Sequence, residues 1–106
     1  MVTTVAMRKE QKLARLRAAI EQVEADLSDF AIRHGGQFVI FGSAARGELR
    51  HDSDLDILVA FPPAMEREAR HHAEGTAHRH GVILDVHLVS EASPDLLDRI
   101  KRDGRS

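Results

Sequence analysis

From Arg8 to about Arg33 the apolar positions Leu13, Leu16, Ile20, Val23, Leu27 and Phe30 recur at intervals of 3, 4, 3, 4 and 3 residues. That spacing lays one continuous apolar stripe along a helix, with Lys12, Arg15, Arg17, Glu21, Glu24 and Asp26 on its other faces. The step His34-Gly35-Gly36 supplies the stop. The stripe is shorter than four heptads and interleaved with alanines, which suits packing on a sheet better than a coiled-coil seam. Residues 1–7 precede the pattern and read as a disordered lead-in. The runs "QFVIF" (37–41) and "LDILVAF" (55–61) are short and apolar, the first bounded by glycines and the second ended by Pro62-Pro63, so both read as strands.

Between Ala64 and His80 the pattern is again helical, with Met65, Ala69, Ala73 and Ala77 on one weakly apolar face and Gly75 as a local flaw. "VILDVHLVS" (82–90) reads as a third strand. In "SPDLLDRIKRDG", Ser93 is the N-cap of a last helix, Pro94 its first residue and Gly104 its stop. The order is α-β-β-α-β-α, an α/β (α+β) domain spanning residues 8–106. The crossover between the second and third strands is long enough to carry the helix that a parallel pairing requires. The loop between the first two strands suits a hairpin or a wider connection, and strand order stays open.

Composition narrows what such a domain does. A chain of 106 residues has room for one modest core, and 42% hydrophobic with 30% charged residues is a globular balance. With four Phe and neither Trp nor Tyr, a large aromatic pocket is excluded. The net charge of −2 gives no basic field for long nucleic acid, whereas a small anionic ligand accompanied by its own metal suits it. Absence of cysteine removes disulfides, thiol catalysis and zinc–thiolate sites. No apolar stretch approaches the roughly 20 residues of a membrane span, and the opening segment lacks a signal-peptide core, so a cytoplasmic protein is expected.

The chemistry is concentrated in "FGSAARGELRHDSDLDILVAF", residues 41–61. Alternation along a strand puts Asp54 and Asp56 on one face with Cα atoms about 7 Å apart, close enough for both carboxylates to serve bound cations. Without a cation they repel and raise one another's pKa. Ahead of them, Gly42 lets a ligand approach the backbone, Ser43 offers a hydroxyl and an N–H, Arg46 adds positive charge, and a short helix starting here would aim free N–H groups outward. Two glycines and a serine read equally well as an ordinary turn, and neither GxxxxGK[ST] nor GxGxxG is present. In the third strand Asp85 shares a face with Ile83, His87 and Val89, and either faces water at an edge or joins the other carboxylates in one site.

His71, His72, His78 and His80 include no i, i+4 pair, and read as a solvated helix face rather than a metal site. His51 reads as an exposed loop residue, while His87 is placed to orient Asp85.

Gly42-Ser43, ten intervening residues and Asp54-Leu55-Asp56, with Asp85 as a later acid, resemble the nucleotidyltransferase superfamily. That superfamily includes DNA polymerase beta, the kanamycin nucleotidyltransferases and the stand-alone minimal nucleotidyltransferases. The fuller minimal-enzyme pattern GSxARGxxxxxSDxDxxV is matched at Gly42, Ser43, Ala45, Arg46, Gly47, Ser53, Asp54, Asp56 and Val59. The resemblance implies the nucleotidyltransferase fold, a small mixed β-sheet covered by helices. It implies transfer of a nucleoside monophosphate, AMP from ATP, with two Mg²⁺ ions, or Mn²⁺ in their place. Asp54, Asp56 and Asp85 are then the catalytic, metal-holding residues, with Asp85 on the acceptor side and able to take the hydroxyl proton. Gly42 and Ser43 grip the phosphates, and Arg46 and Ser53 either touch phosphate or fix the loop. Minimal enzymes of this kind often act beside an all-helical HEPN-type protein in toxin–antitoxin pairs. The resemblance therefore implies an antitoxin that modifies a hydroxyl on such a partner, the alternative being a non-catalytic antitoxin that works by complex formation. Nothing in the sequence excludes a homo-oligomer.

Overall fold

The structure is a computed structural model that describes residues 5–105. Six elements follow in the expected order: α1 (Val5–His34), β1 (Gln37–Phe41), β2 (Leu55–Ala60), α2 (Pro63–Arg79), β3 (Leu84–Leu88) and α3 (Pro94–Asp103). α1 begins at Val5, so the lead-in expected over residues 1–7 is helical at 5–7, while residues 1–4 lie outside the described residues. Val5, Ala6 and Met7 contain no helix breaker, and extending an existing helix costs far less than starting one. At the other end Gly35 takes φ 70°, and its N–H donates to Ala31 O (3.0 Å), which closes the helix in the left-handed conformation.

The sheet has three strands in the order β1-β2-β3. β1 and β2 pair antiparallel, joined by the long 42–54 loop, and β2 and β3 pair parallel through α2. The sheet is therefore mixed. Alternate residues face opposite ways. Phe38, Ile40, Leu55, Ile57 and Val59 are buried in the main core with Ile20, Val23, Leu27 and Phe30 of α1 and Ala69, Ala73 and Ala77 of α2. The weakly apolar alanine face of α2 is thus fully used, because small side chains let the helix approach closely enough to be sealed. On the opposite face Phe41 and Leu58 pack with Ile100 of α3 in a smaller cluster.

β3 is shorter than the 82–90 run. Val82 is buried but its N–H donates to Ala77 O (2.9 Å) in the turn after α2, and Ile83 is exposed, so the ladder starts at Leu84. The histidines of α2 divide. His71 and His78 are exposed, as is His80 just beyond the helix, but His72 is half-buried. It stacks on Phe30 (centroids 4.2 Å, 18°), and its Nε2 lies 3.1 Å from Asp26 Oδ1. The same Asp26 carboxylate accepts from the buried Thr76 hydroxyl (3.2 Å) and from Arg79 (3.2 Å), which pins α2 to α1. Beyond α3, Arg105 pairs with Ile40 on the outer edge of β1, and its guanidinium holds Glu24 of α1 through two hydrogen bonds (2.8 and 3.1 Å).

Candidate active site

Strand register assembles the site. Phe41 of β1 is opposite Asp56 of β2, and Asp56 is opposite Asp85 of β3, so one row across the sheet carries Phe41, Asp56 and Asp85. Gly42 follows Phe41 directly. All lie at the end where β1 leaves the sheet and β2 and β3 enter it, on the face that α3 covers only in part. Two residues further along β3, on the same face as Asp85, stands His87.

Asp56, Asp85 and His87 each offer an oxygen or nitrogen such that all three atoms lie within 4.8 Å of one another. His87 Nε2 is 3.4 Å from Asp85 Oδ2, and the imidazole packs against Phe41 (centroids 5.3 Å). Burial, reinforced by the Asp85 carboxylate, raises the Asp56 carboxyl above the ordinary aspartate value. A hydrogen bond with Asp85 and the charge of Asp54 act the same way, and His87 opposes them.

Gly42 is shaped to this carboxylate. Its φ is 71°, and a Cβ there would run into Asp56 Oδ2. A side chain would therefore displace the acid as well as strain the backbone. After Gly42 the chain makes successive turns over residues 42–47 rather than the short helix anticipated. Arg46 N–H donates to Gly42 O (3.1 Å) and Glu48 N–H to Ser43 O (2.8 Å), which leaves the N–H groups of Ser43, Ala44 and Ala45 without a protein acceptor among the described residues. Buried Ala44 and half-buried Leu49 anchor the loop to the core. Consecutive donors of this kind suit an oxyanion, and in an ordinary turn water serves them equally well.

The remaining residues singled out from the sequence divide. Asp54 is exposed and lies one residue ahead of the first ladder residue, Leu55; its charge reaches Asp56, but it stands outside the three-residue group. Arg46 donates through Nε to Glu48 (3.2 Å) and lies 3.7 Å from Asp103 at the end of α3, so it ties the loop to that helix. Ser53 Oγ accepts from Arg50 N–H (2.8 Å) and fixes the turn before β2. Both side chains thus have partners in or beside the loop. Sequence reasoning had given His87 only an orienting role; the period-2 spacing from Asp85 was the signal that it belongs in the group.

Residues 16–105 match the family profile of the nucleotidyltransferase domain. The chain belongs to that family. A solved structure assigned as a minimal nucleotidyltransferase is similar at 31% identity with a TM-score of 0.69, covering 86% of this chain and 94% of that one. Among curated proteins there is no match.

In this nucleotidyltransferase domain the donor set fits a divalent cation. Two carboxylates and an imidazole converge, burial and the neighbouring acid make ionisation of Asp56 costlier, and a cation offsets that cost. The site is open: the Asp85 side chain is 56% exposed. Among the described residues no helix is long and apolar enough to cross a membrane.

Proposed function

We propose that this protein transfers a nucleoside monophosphate, AMP from ATP, to a hydroxyl on an all-helical HEPN-type partner, and acts as the antitoxin of that pair. The observation that carries the transfer chemistry is that Asp56 and Asp85 are paired on neighbouring strands while Gly42, at the head of the loop proposed to hold phosphate, abuts Asp56.

The free N–H groups of residues 43–45 and the Ser43 hydroxyl hold the β- and γ-phosphates, and the turn hydrogen bonds keep those donors aimed. Asp56, the less exposed carboxylate, holds the cation against the triphosphate, and Asp54 adds a second carboxylate from the loop side. A bound divalent cation, Mg²⁺ or Mn²⁺, supplies charge neutralisation at the phosphates and lowers the pKa of the acceptor hydroxyl. Asp85 faces the acceptor and takes the hydroxyl proton. The acceptor oxygen then bonds to the α-phosphorus as the bond from that phosphorus to the bridging oxygen breaks, and pyrophosphate leaves in line. Positioning and charge do most of the work.

The openness of the site supports a partner as acceptor, since a protein surface docked over Asp85 would exclude water that this domain alone admits. The test incubates the protein with α-labelled ATP, Mg²⁺ and the product of the neighbouring gene, proposed here to be the HEPN-type partner. Covalent label on a serine, threonine or tyrosine of the partner is expected, and its loss in D54N/D56N and in D85N. A tight complex without label would instead establish the non-catalytic antitoxin, and unchanged labelling in the double variant would remove these carboxylates from the mechanism.

A further inference from the structure

The metal-holding positions expected from the sequence are all acids, yet the third ligand-capable atom beside Asp56 and Asp85 belongs to an imidazole. We propose that His87 is a direct ligand of the cation held by Asp56 and Asp85, and that this nitrogen makes the site select Mn²⁺ over Mg²⁺. The proposal rests on the metal-dependent reading of the site given above.

Position comes first. Asp85 and His87 project from one face of β3, next to Asp56 on β2, so all three reach the same volume without rearrangement of the backbone. The separation between His87 Nε2 and Asp85 Oδ2, 3.4 Å, is longer than a good charge-assisted hydrogen bond. It suits two ligands of one ion better. Donors bound at about 2.1 Å lie roughly 3 Å apart when adjacent and roughly 4.2 Å apart when opposite, and the three donors here all fall within 4.8 Å of one another.

The ring is also held. Phe41 lies against it at 5.3 Å, and the side chain is 33% exposed, so the imidazole is braced on one side and open to an ion on the other. Because Phe41 also pairs with Asp56 in the ladder, the brace and the carboxylate are positioned by the same strand pair. A pre-oriented donor loses little freedom on binding, which raises its worth as a ligand.

Chemistry then decides which ion. Mg²⁺ is hard, keeps its waters and takes oxygen donors, whereas imidazole nitrogen favours the later first-row ions. Replacing one oxygen of the set by nitrogen therefore costs Mg²⁺ more than Mn²⁺, which stands lowest among the first-row ions for nitrogen but still takes imidazole beside carboxylates. An alternative role for His87, as an imidazolium that merely neutralises the carboxylates, makes the opposite forecast: removing it would strengthen the binding of every divalent cation.

The test uses Mn²⁺ and Mg²⁺ alone, without nucleotide. Titration calorimetry compares wild type, H87Q, H87N, D56N and D85N, and pulsed electron paramagnetic resonance of the Mn²⁺-loaded wild type looks for nitrogen hyperfine coupling. Nitrogen coupling is expected, with a loss of Mn²⁺ affinity of about tenfold or more in H87Q and H87N and a change below about threefold for Mg²⁺. Absence of nitrogen coupling, or unchanged or improved Mn²⁺ affinity in both histidine variants while D56N and D85N lose it, overturns the role of His87 and leaves the carboxylate site standing. No Mn²⁺ or Mg²⁺ binding by wild type, or equal binding by D56N and D85N, overturns the metal site itself. The resonance measurement needs no variant, so a substitution that disturbs folding does not decide the outcome.

Discussion

Replacing Gly42 by alanine perturbs backbone and site together, and the two costs separate. A residue with a Cβ in the left-handed region pays about 1–2 kcal/mol, and Gly42 sits there at φ 71°. The new methyl also overlaps the Asp56 carboxylate, a local overpacking of about 1–3 kcal/mol. G42A should therefore lose about 2–5 kcal/mol. At about 4 °C or more per kcal/mol for a domain of this size, the melting temperature falls by on the order of 10–20 °C. In a D56A background the carboxylate is gone, and the nearest remaining atom of residue 56 is its Cβ at 3.4 Å, an ordinary contact. Only the backbone cost of about 1–2 kcal/mol should remain. Denaturant unfolding of the four proteins in EDTA closes the cycle, with an expected coupling of about 1–3 kcal/mol. Equal losses in the two backgrounds, within about 0.5 kcal/mol, would refute the claim that Gly42 is there to make room for Asp56.

The raised Asp56 pKa fixes the sign of a pH effect: the folded state holds its proton longer than the unfolded state, whose value is near 3.8, so ionisation costs metal-free stability as pH rises through the folded pKa. D56N should match wild type below that range and exceed it by a constant margin above, as measured by unfolding in EDTA; a margin that grew toward acid pH would contradict the assignment. D26A should cost about 1–3 kcal/mol in thermal unfolding, because the buried Thr76 hydroxyl loses its acceptor and α1 is freed from His72 and Arg79. S53A should cost about 0.5–1.5 kcal/mol by orphaning the Arg50 N–H, and R46A less than about 1 kcal/mol because its ion pairs are exposed, both read by the shift in denaturant midpoint.

Element order was legible because each element carries its period openly: the 3-4 stripe of α1, the runs around Ile40 and Ile57, and the Ser93-Pro94 start of α3. What was not legible depended on neighbours. The antiparallel β1–β2 pairing is a choice between partners that no single strand encodes. His72 looks like its exposed neighbours until Asp26, 46 residues earlier, is brought beside it. At the site, spacing pointed to Gly42, Asp56 and Asp85 as candidates; the register sets Asp56 beside Asp85, and Gly42 abuts Asp56. Asp54 was harder to place because parity says which face a strand residue takes but not where the ladder begins, and here it begins at Leu55. His87 was visible by parity, yet a pattern whose metal-holding positions are all acids gave it a secondary part.

The two faces of β2 give the chain an unequal tolerance to inserted and deleted residues. Leu55, Ile57 and Val59 are almost wholly inaccessible, while the alternating Asp56 points to the site. One extra residue anywhere in the exposed part of the 42–54 loop lengthens a turn and leaves both strands in place. The same insertion between Leu55 and Ala60 would invert every strand side chain after it, turning core residues out of the core and, when placed before Asp56, driving that carboxylate in. Chemistry and folding are thus threaded through the same six residues. Length changes in this protein can accumulate in the loop but not in the strand, and a random insertion library selected only for solubility should recover that boundary near residue 54.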